Sequence, residues 1–543
     1  MRPFVLRAGG TAALLAAALV AQPTAASAQP AGGASGPPET VIVVLSAPCP
    51  HDKACPAQEL VSSQVAASGG SVVGTTNLVD TVTARVTPAE AKALASLPGV
   101  AQVVPDAVLP APAPPPATQV TPGPSPSPGP SFRPHGPGPG SLICGTEHHP
   151  ELDPEALQQI GATRALAEGY DGAGVTVAFL ADGLDPSNPD FARNGAYGPP
   201  GSPVITSYQD FSGDGTSAPT DGAEAFGDAS SIAAQGNVAY NLSQYVNPAQ
   251  AARLPASGCW IRVVGDAPGA DLMALKVFAQ LDDTTTSGFL QAIQYAVENG
   301  AKVINESFGA DNFPDTSLDV IRDADDAAVA AGVTVVVSSG DAGVANTIGS
   351  PASDPQVISV GATTSFRAYA QSDFGGFDNP AVGNGRFVGD NISALSSGGF
   401  TQAGNTVDLV APGDLNWALC STDTATYFGC ADFFGGTDNG LQLFGGTSEA
   451  APLTAGAAAD VIQAYAEHHG GAAPSPALVK QILMSTATDI GAPATEQGAG
   501  LLNVAAAVRL AASLPGGLEQ GSLSGVQADV NAVNSPALPV KSP

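Results

Sequence analysis

Ser448 stands where a hydroxyl can be made to react. Gly445-Gly446-Thr447 precede it, and the run of small residues over 453–466 that follows reads as a helix. Glycines allow a tight backbone approach, and a serine at a helix start sits where the dipole favours developing negative charge. Such a serine needs a base. The histidines are His51, His135, His148, His149, His468 and His469, so none lies between positions 150 and 467. A Ser-His-Asp triad in the usual arrangement is therefore absent. Glu224 and Asp228 offer a different base. At this spacing a helix projects both carboxyl groups from one face, about 6 Å of rise apart. A carboxylate base with a pKa near ~4 works only where its charged form persists, and acids clustered around one serine cannot all ionise. Such chemistry is best in acid and fades towards neutrality. Two plainer readings stand beside it. Thr447 and Ser448 could simply cap a helix, and a Glu-x-x-x-Asp spacing arises by chance among 49 acids, here with Gly227 weakening the helix.

These groups need a rigid scaffold. The segments 175–180 (VTVAFL), 272–278 (LMALKVF), 302–304 (KVI) and 333–337 (VTVVV) are short, nearly continuous apolar runs, with helical stretches such as 288–298 and 318–331 between them. Buried strands alternating with helices predict an α/β domain over 142–513, a parallel β-sheet with helices on both faces. Its functional residues should gather at the carboxyl ends of the strands. Upstream, 40–45, 57–67, 71–74, 81–86, 88–97 and 100–104 read as strand, helix, strand, strand, helix, strand. That order predicts a small α+β (βαββαβ) unit within 38–109. Between the two units, 110–141 is dominated by Pro, Gly and Ser and reads as an extended linker, and 514–543 reads as a loose tail.

Composition narrows the partners and the compartment. The 18 basic residues against 49 acidic ones give a net charge of −31, which excludes nucleic acid and anionic membranes as partners. Arg2 and Arg7 precede an apolar stretch over 11–21, and Ala26-Ser27-Ala28 offers a small-x-small cleavage site. This is the layout of a secretory signal peptide over 1–28, so the expected location is extracellular, with no membrane association after its removal. Of the connectivities the six cysteines allow, Cys49–Cys55, Cys144–Cys259 and Cys420–Cys430 are the most economical. No C-x-x-C pair suggests zinc, no cofactor is expected, and no clear motif indicates calcium.

The segment Gly445-Gly446-Thr447-Ser448-Glu449-Ala450-Ala451-Pro452 resembles the nucleophile segment of the subtilisin-like and sedolisin-like serine peptidases. The resemblance covers most of the chain. Residues 177–185 (VAFLADGLD) and 188–191 (NPDF) are similar to the first catalytic strand and loop, 303–309 (VINESFG) to the substrate-binding strand, 338–343 (SSGDAG) to the oxyanion loop, and 485–502 to the C-terminal segment. Three positions depart from the subtilisin pattern. Ala181 stands in place of an aspartate, with Asp182 one step later and so facing the other way on a strand. Phe226-Gly227-Asp228 stands in place of His-Gly-Thr, and Asp341 in place of an asparagine. These departures resemble the sedolisin pattern, although the C-terminal segment looks subtilisin-like and lacks a clear sedolisin-type calcium loop. The resemblance implies that Glu224 is the general base for Ser448 and that Asp228 orients Glu224 in place of the missing strand aspartate. It also implies that protonated Asp341 donates to the oxyanion and that Ser307, Phe308 and Gly309 bind substrate. Glu449 is unusual in either family.

The expectation is a secreted serine endopeptidase made as a zymogen, active in acid, acting on protein or peptide substrates through an acyl-enzyme on Ser448. Substrate would lie extended beside the strand running to Ser307. The 38–109 unit resembles the family's pro-domain, which implies an intramolecular inhibitor and folding chaperone. The alternative is a catalytically inactive relative serving as an extracellular binding module.

Overall fold

The computed structural model describes residues 36–46, 55–110, 143–280, 283–309, 319–365, 367–372, 390–431, 436 and 438–515. The expected signal peptide, Cys49, nearly all of the linker and most of the tail lie outside the described residues.

The first unit follows the order β1 (Glu39–Leu45), α1 (Pro56–Ser68), β2 (Ser71–Thr76), β3 (Thr81–Val86), α2 (Pro88–Leu94) and β4 (Val100–Pro105). Its antiparallel sheet runs β2-β3-β1-β4. Helix α2 starts where it does because Thr87 and Glu90 form a reciprocal capping box, with Pro88 preset for the first turn. Strand alternation divides β1 between two cores. Val41, Val43 and Leu45 pack with Val61, Val65 and Leu94 of the unit's own helices, whereas Ile42, together with Val104, joins the core of the larger unit.

The larger unit is entered after β5 (Val108–Pro110). It contains, in order, β6 (Thr176–Ala181), β7 (Ile205–Asp210), α3 (Ala223–Ala233), β8 (Asp271–Lys276), β9 (Asp283–Thr285), α4 (Thr286–Glu298), β10 (Val303–Glu306), α5 (Val320–Ala330), β11 (Thr334–Ser338), β12 (Ile358–Thr363), β13 (Leu409–Pro412), β14 (Asn416–Leu419), β15 (Leu441–Phe444), α6 (Thr447–His468) and α7 (Val504–Ser513). Seven of these strands form one parallel sheet in the order β13-β12-β11-β10-β6-β8-β7. Every residue of β10, β11 and β12 is buried, as a sheet covered on both faces requires. Helix α6 is buried from 447 to 465 because its Ala and Gly side chains let it lie close to the sheet, α3 and α7. Cys144–Cys259 and Cys420–Cys430 form disulfides. Among the described residues, no helix is long and apolar enough to cross a membrane, and no group of three or more His, Cys, Asp or Glu could hold a metal.

The scaffold also buries acids without cations to match. Asp266 interacts with Asp460 of α6, and Glu306 at the end of β10 interacts with Asp325 of α5. The oxygens of these four side chains find no ordinary donor among the described residues. Gly456 permits the close approach at the first pair, since a Cβ there would lie 2.8 Å from Asp266 Cβ. Burial pushes Asp266 and Asp460 well above the usual carboxyl range, and the neighbouring Asp266 charge adds to the effect on Asp460. Burial likewise pushes Glu306 up to about 8. The folded chain therefore keeps protons that unfolded carboxyls release near pH ~4. This contribution to stability is complete below that pH and is lost as pH rises through the folded values. Asp460→Asn cannot ionise, so it should raise stability to urea at neutral pH by about 1 kcal/mol or more while changing little at acid pH. Equal effects at both pH values would refute the account.

Candidate active site

The reactive groups meet where the carboxyl ends of β6, β10 and β11 face the amino end of α6. Ser448 is the second residue of α6 and is 9% exposed. The turn before it depends on Gly446, whose φ is +84° and at which a Cβ would lie 2.3 Å from Asp341 Oδ2. Only glycine lets the two loops meet this closely. Thr447 fastens the junction: its N–H and hydroxyl donate to Asp341 Oδ1 at 2.8 and 3.0 Å, and its Oγ1 accepts from Gly340 N–H at 3.1 Å.

Helix α3 carries Glu224 and Asp228, but its start is fixed from another strand. Its N-cap, Gly222, has no side chain to offer. Asp182, just past β6, supplies the cap instead, accepting from Gly222 N–H and, at 2.8 Å, from Ala225 N–H. The aspartate that follows Ala181 thus holds the helix that bears Glu224.

Glu224 is half-buried beside Ser448. Burial is the main cause that pushes its carboxyl well above the usual range, and the charge of Asp228 adds to this, while the Ser448 hydroxyl acts as a hydrogen-bonding neighbour that pulls it back. Its Oε1 has no partner among the described residues. Asp228 is also raised well above the usual range, first by burial, and its Oδ1 accepts from the Ser307 hydroxyl at 2.8 Å. Asp228 thus bonds to Ser307, just past β10, and its effect on Glu224 is electrostatic.

Ser307 and Ser448 hold each other. The Ser448 hydroxyl donates to the Ser307 carbonyl at 3.2 Å, and the Ser307 hydroxyl lies 3.1 Å from the Ser448 carbonyl while accepting from Asn305 Nδ2 at 3.0 Å. Phe308 turns its ring inward, where it stacks on Phe289 of α4 with centroids 4.1 Å apart. Gly309 is exposed. Phe226, which sequence similarity sets in place of a histidine, is fully buried against Phe191 and Tyr427. The side chain of α3 that neighbours Ser448 is Glu224. Glu449 is buried as well, bonded to Ser231 at 2.8 Å and Asn416 at 3.3 Å.

Sequence reasoning did not anticipate the cap made by Asp182, the bond from Ser307 to Asp228, or the contribution of Thr447. The first had a faint signal, an acid next to Gly183 at the end of a predicted strand.

A parallel sheet with a buried helix whose first turn presents Ser448 defines a subtilisin-like α/β serine peptidase. The chain belongs to the subtilase family, whose model matches residues 172–501. It is 29% identical to subtilisin E of Bacillus subtilis (strain 168) over 360 residues, 66% of this chain and 71% of that protein. It is 30% identical to alkaline elastase YaB of Bacillus sp. (strain YaB) over 356 residues, 66% of this chain and 70% of that one. Among solved structures it is similar to fervidolysin from Fervidobacterium pennivorans, a keratinolytic enzyme related to subtilisin, with a TM-score of 0.58 and 22% identity over 87% of this chain. This chain spans 61% of the length of fervidolysin, and that likeness is one of fold.

Removing the cap should disturb the site it holds. Asp182→Ala is expected to lower stability to urea by about 1–2 kcal/mol, and to lower kcat on a peptide substrate by about tenfold or more. An unchanged kcat would show that Asp182 does not set the position of Glu224.

Proposed function

We propose that this subtilase is an exported endopeptidase, made as a zymogen, in which a carboxylate replaces imidazole as the base. One observation carries the reading: the Ser448 hydroxyl neighbours the Glu224 carboxyl, and the nearest histidines along α6, His468 and His469, lie about 30 Å further on at the helix rise of ~1.5 Å per residue. To react, the Ser448 hydroxyl leaves the Ser307 carbonyl and donates to Glu224 instead. Glu224 accepts the proton as Oγ attacks the scissile carbonyl. Protonated Asp341 donates to the new oxyanion, its Oδ1 being already engaged by Thr447. Collapse breaks the C–N bond, Glu224 returns the proton to the leaving amine, and water then releases the acyl group with Glu224 again as base.

Glu224 and Asp228 cannot both ionise in one buried volume, so the working state of the pair holds one proton. Because both carboxyls are raised, the ascending limb of the pH profile should lie above the ordinary glutamate value of about 4.3. Activity should fall again as the second proton and the oxyanion donor are lost.

The zymogen reading draws on how the small unit docks. Asn77 and Leu78 N–H donate to Gln294 of α4 at 2.7 and 3.2 Å, and Asp106 accepts from the Ser287 N–H and hydroxyl in the first turn of that helix at 2.9 and 2.8 Å. Strand β5 then pairs antiparallel with β9, directly before α4, whose Phe289 supports the substrate strand through Phe308. A chain segment added as a strand there binds as an extended substrate would. The competing reading, an inactive binding module, draws on the donation of the Ser448 hydroxyl to Ser307 rather than to Glu224.

One assay separates the two. Casein hydrolysis across acid to mildly alkaline pH should give a bell-shaped profile on the acid side of neutrality, and Ser448→Ala and Glu224→Gln should each lose about a thousandfold or more. Equal rates in wild type and Ser448→Ala would remove the serine from the mechanism. A peak on the alkaline side of neutral would remove the carboxylate base.

A further inference from the structure

We propose that Glu449 is a positioning residue that fixes the nucleophile turn to the helix carrying the base. The inference rests on the assignment of Ser448 and Glu224 made above. Glu449 directly follows the nucleophile, yet its side chain is 1% exposed and runs back between three elements. Its Oε2 meets Ser231 Oγ of α3 at 2.8 Å, and its Oε1 accepts from Asn416 Nδ2 of β14 at 3.3 Å. Ser231 lies two helical turns beyond Glu224 on the same helix. Asn416 pairs with Phe444 of β15, the strand that leads into Gly445 and Ser448. One carboxyl group therefore ties together the helix of the base, the helix of the nucleophile and the hairpin between which the serine turn is strung.

Both polar contacts of Glu449 are donated to it. Ser231 has a single hydroxyl hydrogen, and the Gly227 carbonyl one turn back lies 3.0 Å from its Oγ. The hydroxyl also donates to Glu449 Oε2 at 2.8 Å, the shorter of its two contacts, so Glu449 is held by two donors, Ser231 and Asn416, which pull its carboxyl back while burial raises it well above the usual range. Burial comes first, and the charges that act on Glu449 are Glu224 of α3 and Asp153 of the strand Glu151–Asp153, while Glu449 in turn acts on Asp228. Arg367 is a cation acting on this group of acids, through Asp153. As pH rises, an ionised Glu449 would repel Glu224 and Asp228, and the serine turn and the base would lose their alignment. Glu449 thereby helps to set the descending limb of the pH profile.

Glu449→Gln keeps the length of the side chain and an acceptor oxygen but cannot ionise; Glu449→Ala keeps neither the length nor the acceptor. The full chain and both variants are assayed for kcat and KM on a peptide substrate across pH, with unfolding midpoints measured at acid pH. Glu449→Gln should retain kcat within about threefold in acid and carry its descending limb at least about half a pH unit higher. Glu449→Ala should lose about tenfold or more in kcat with KM changed less than about twofold. If Glu449→Ala does not fold, the limb of Glu449→Gln alone decides. An active wild type whose profile is unchanged in Glu449→Gln overturns this proposal and leaves the base assignment intact. A wild type without acid-range hydrolysis removes that assignment and this proposal together.

Discussion

Too many acids share one dry volume around Ser448, and that constraint shapes the rest of the site. Asp228 and Glu449 are buried and Glu224 is half-buried, and the largest influence on each is the loss of water around its charge. Elsewhere the same fold solves this problem conventionally. Asp408 is buried against Lys480 at 2.8 Å, and that lysine is held in turn by the Pro355 and Val357 carbonyls. Around the serine the principal partners are hydroxyls, amides and other carboxyls. Acids grouped this way must share protons, and a group that holds a proton in a folded protein near neutrality can serve as acid and base in turn.

The architecture compensates through backbone dipoles rather than cations. Two helices, α3 and α6, begin at the site, and their first turns present unsatisfied N–H groups to the acids. Asp182 takes two of these groups on α3 and Asp341 takes one on α6. Each carboxyl group that caps a helix also fixes where that helix starts, so the electrostatic arrangement and the mechanical alignment are the same contacts. The reciprocal bonds between Ser307 and Ser448 add a third fixed point, from the sheet.

Much of this was legible in the sequence, for physical reasons that differ from element to element. The strands of the central sheet announced themselves as apolar runs because both of their faces are covered, and the small unit because its turns and capping box are local. Ser448, Glu224 and Asp228 could be nominated from residue type and spacing, Asp341 from its resemblance to the sedolisin pattern, and the fold brings all four to one region. What the sequence withheld depends on distant partners or on direction. The bonds from Asp182 to Gly222 and Ala225 span about forty residues of chain. The inward turn of Phe308 depends on Phe289 of another element, and whether Glu449 faces the cleft or the interior depends on where α3 and β14 lie. Phe226 misleads for a related reason: similarity to a motif aligns letters, whereas the side chain's direction follows from the helix start that Asp182 imposes.

The contact between position 446 and Asp341 binds two loops to each other. A single added methyl at 446 would collide with the aspartate, and a larger residue at 341 would press on the serine turn. The aspartate at 341 leaves room at 446 for glycine alone, so the course of the serine turn is set from a loop more than a hundred residues away.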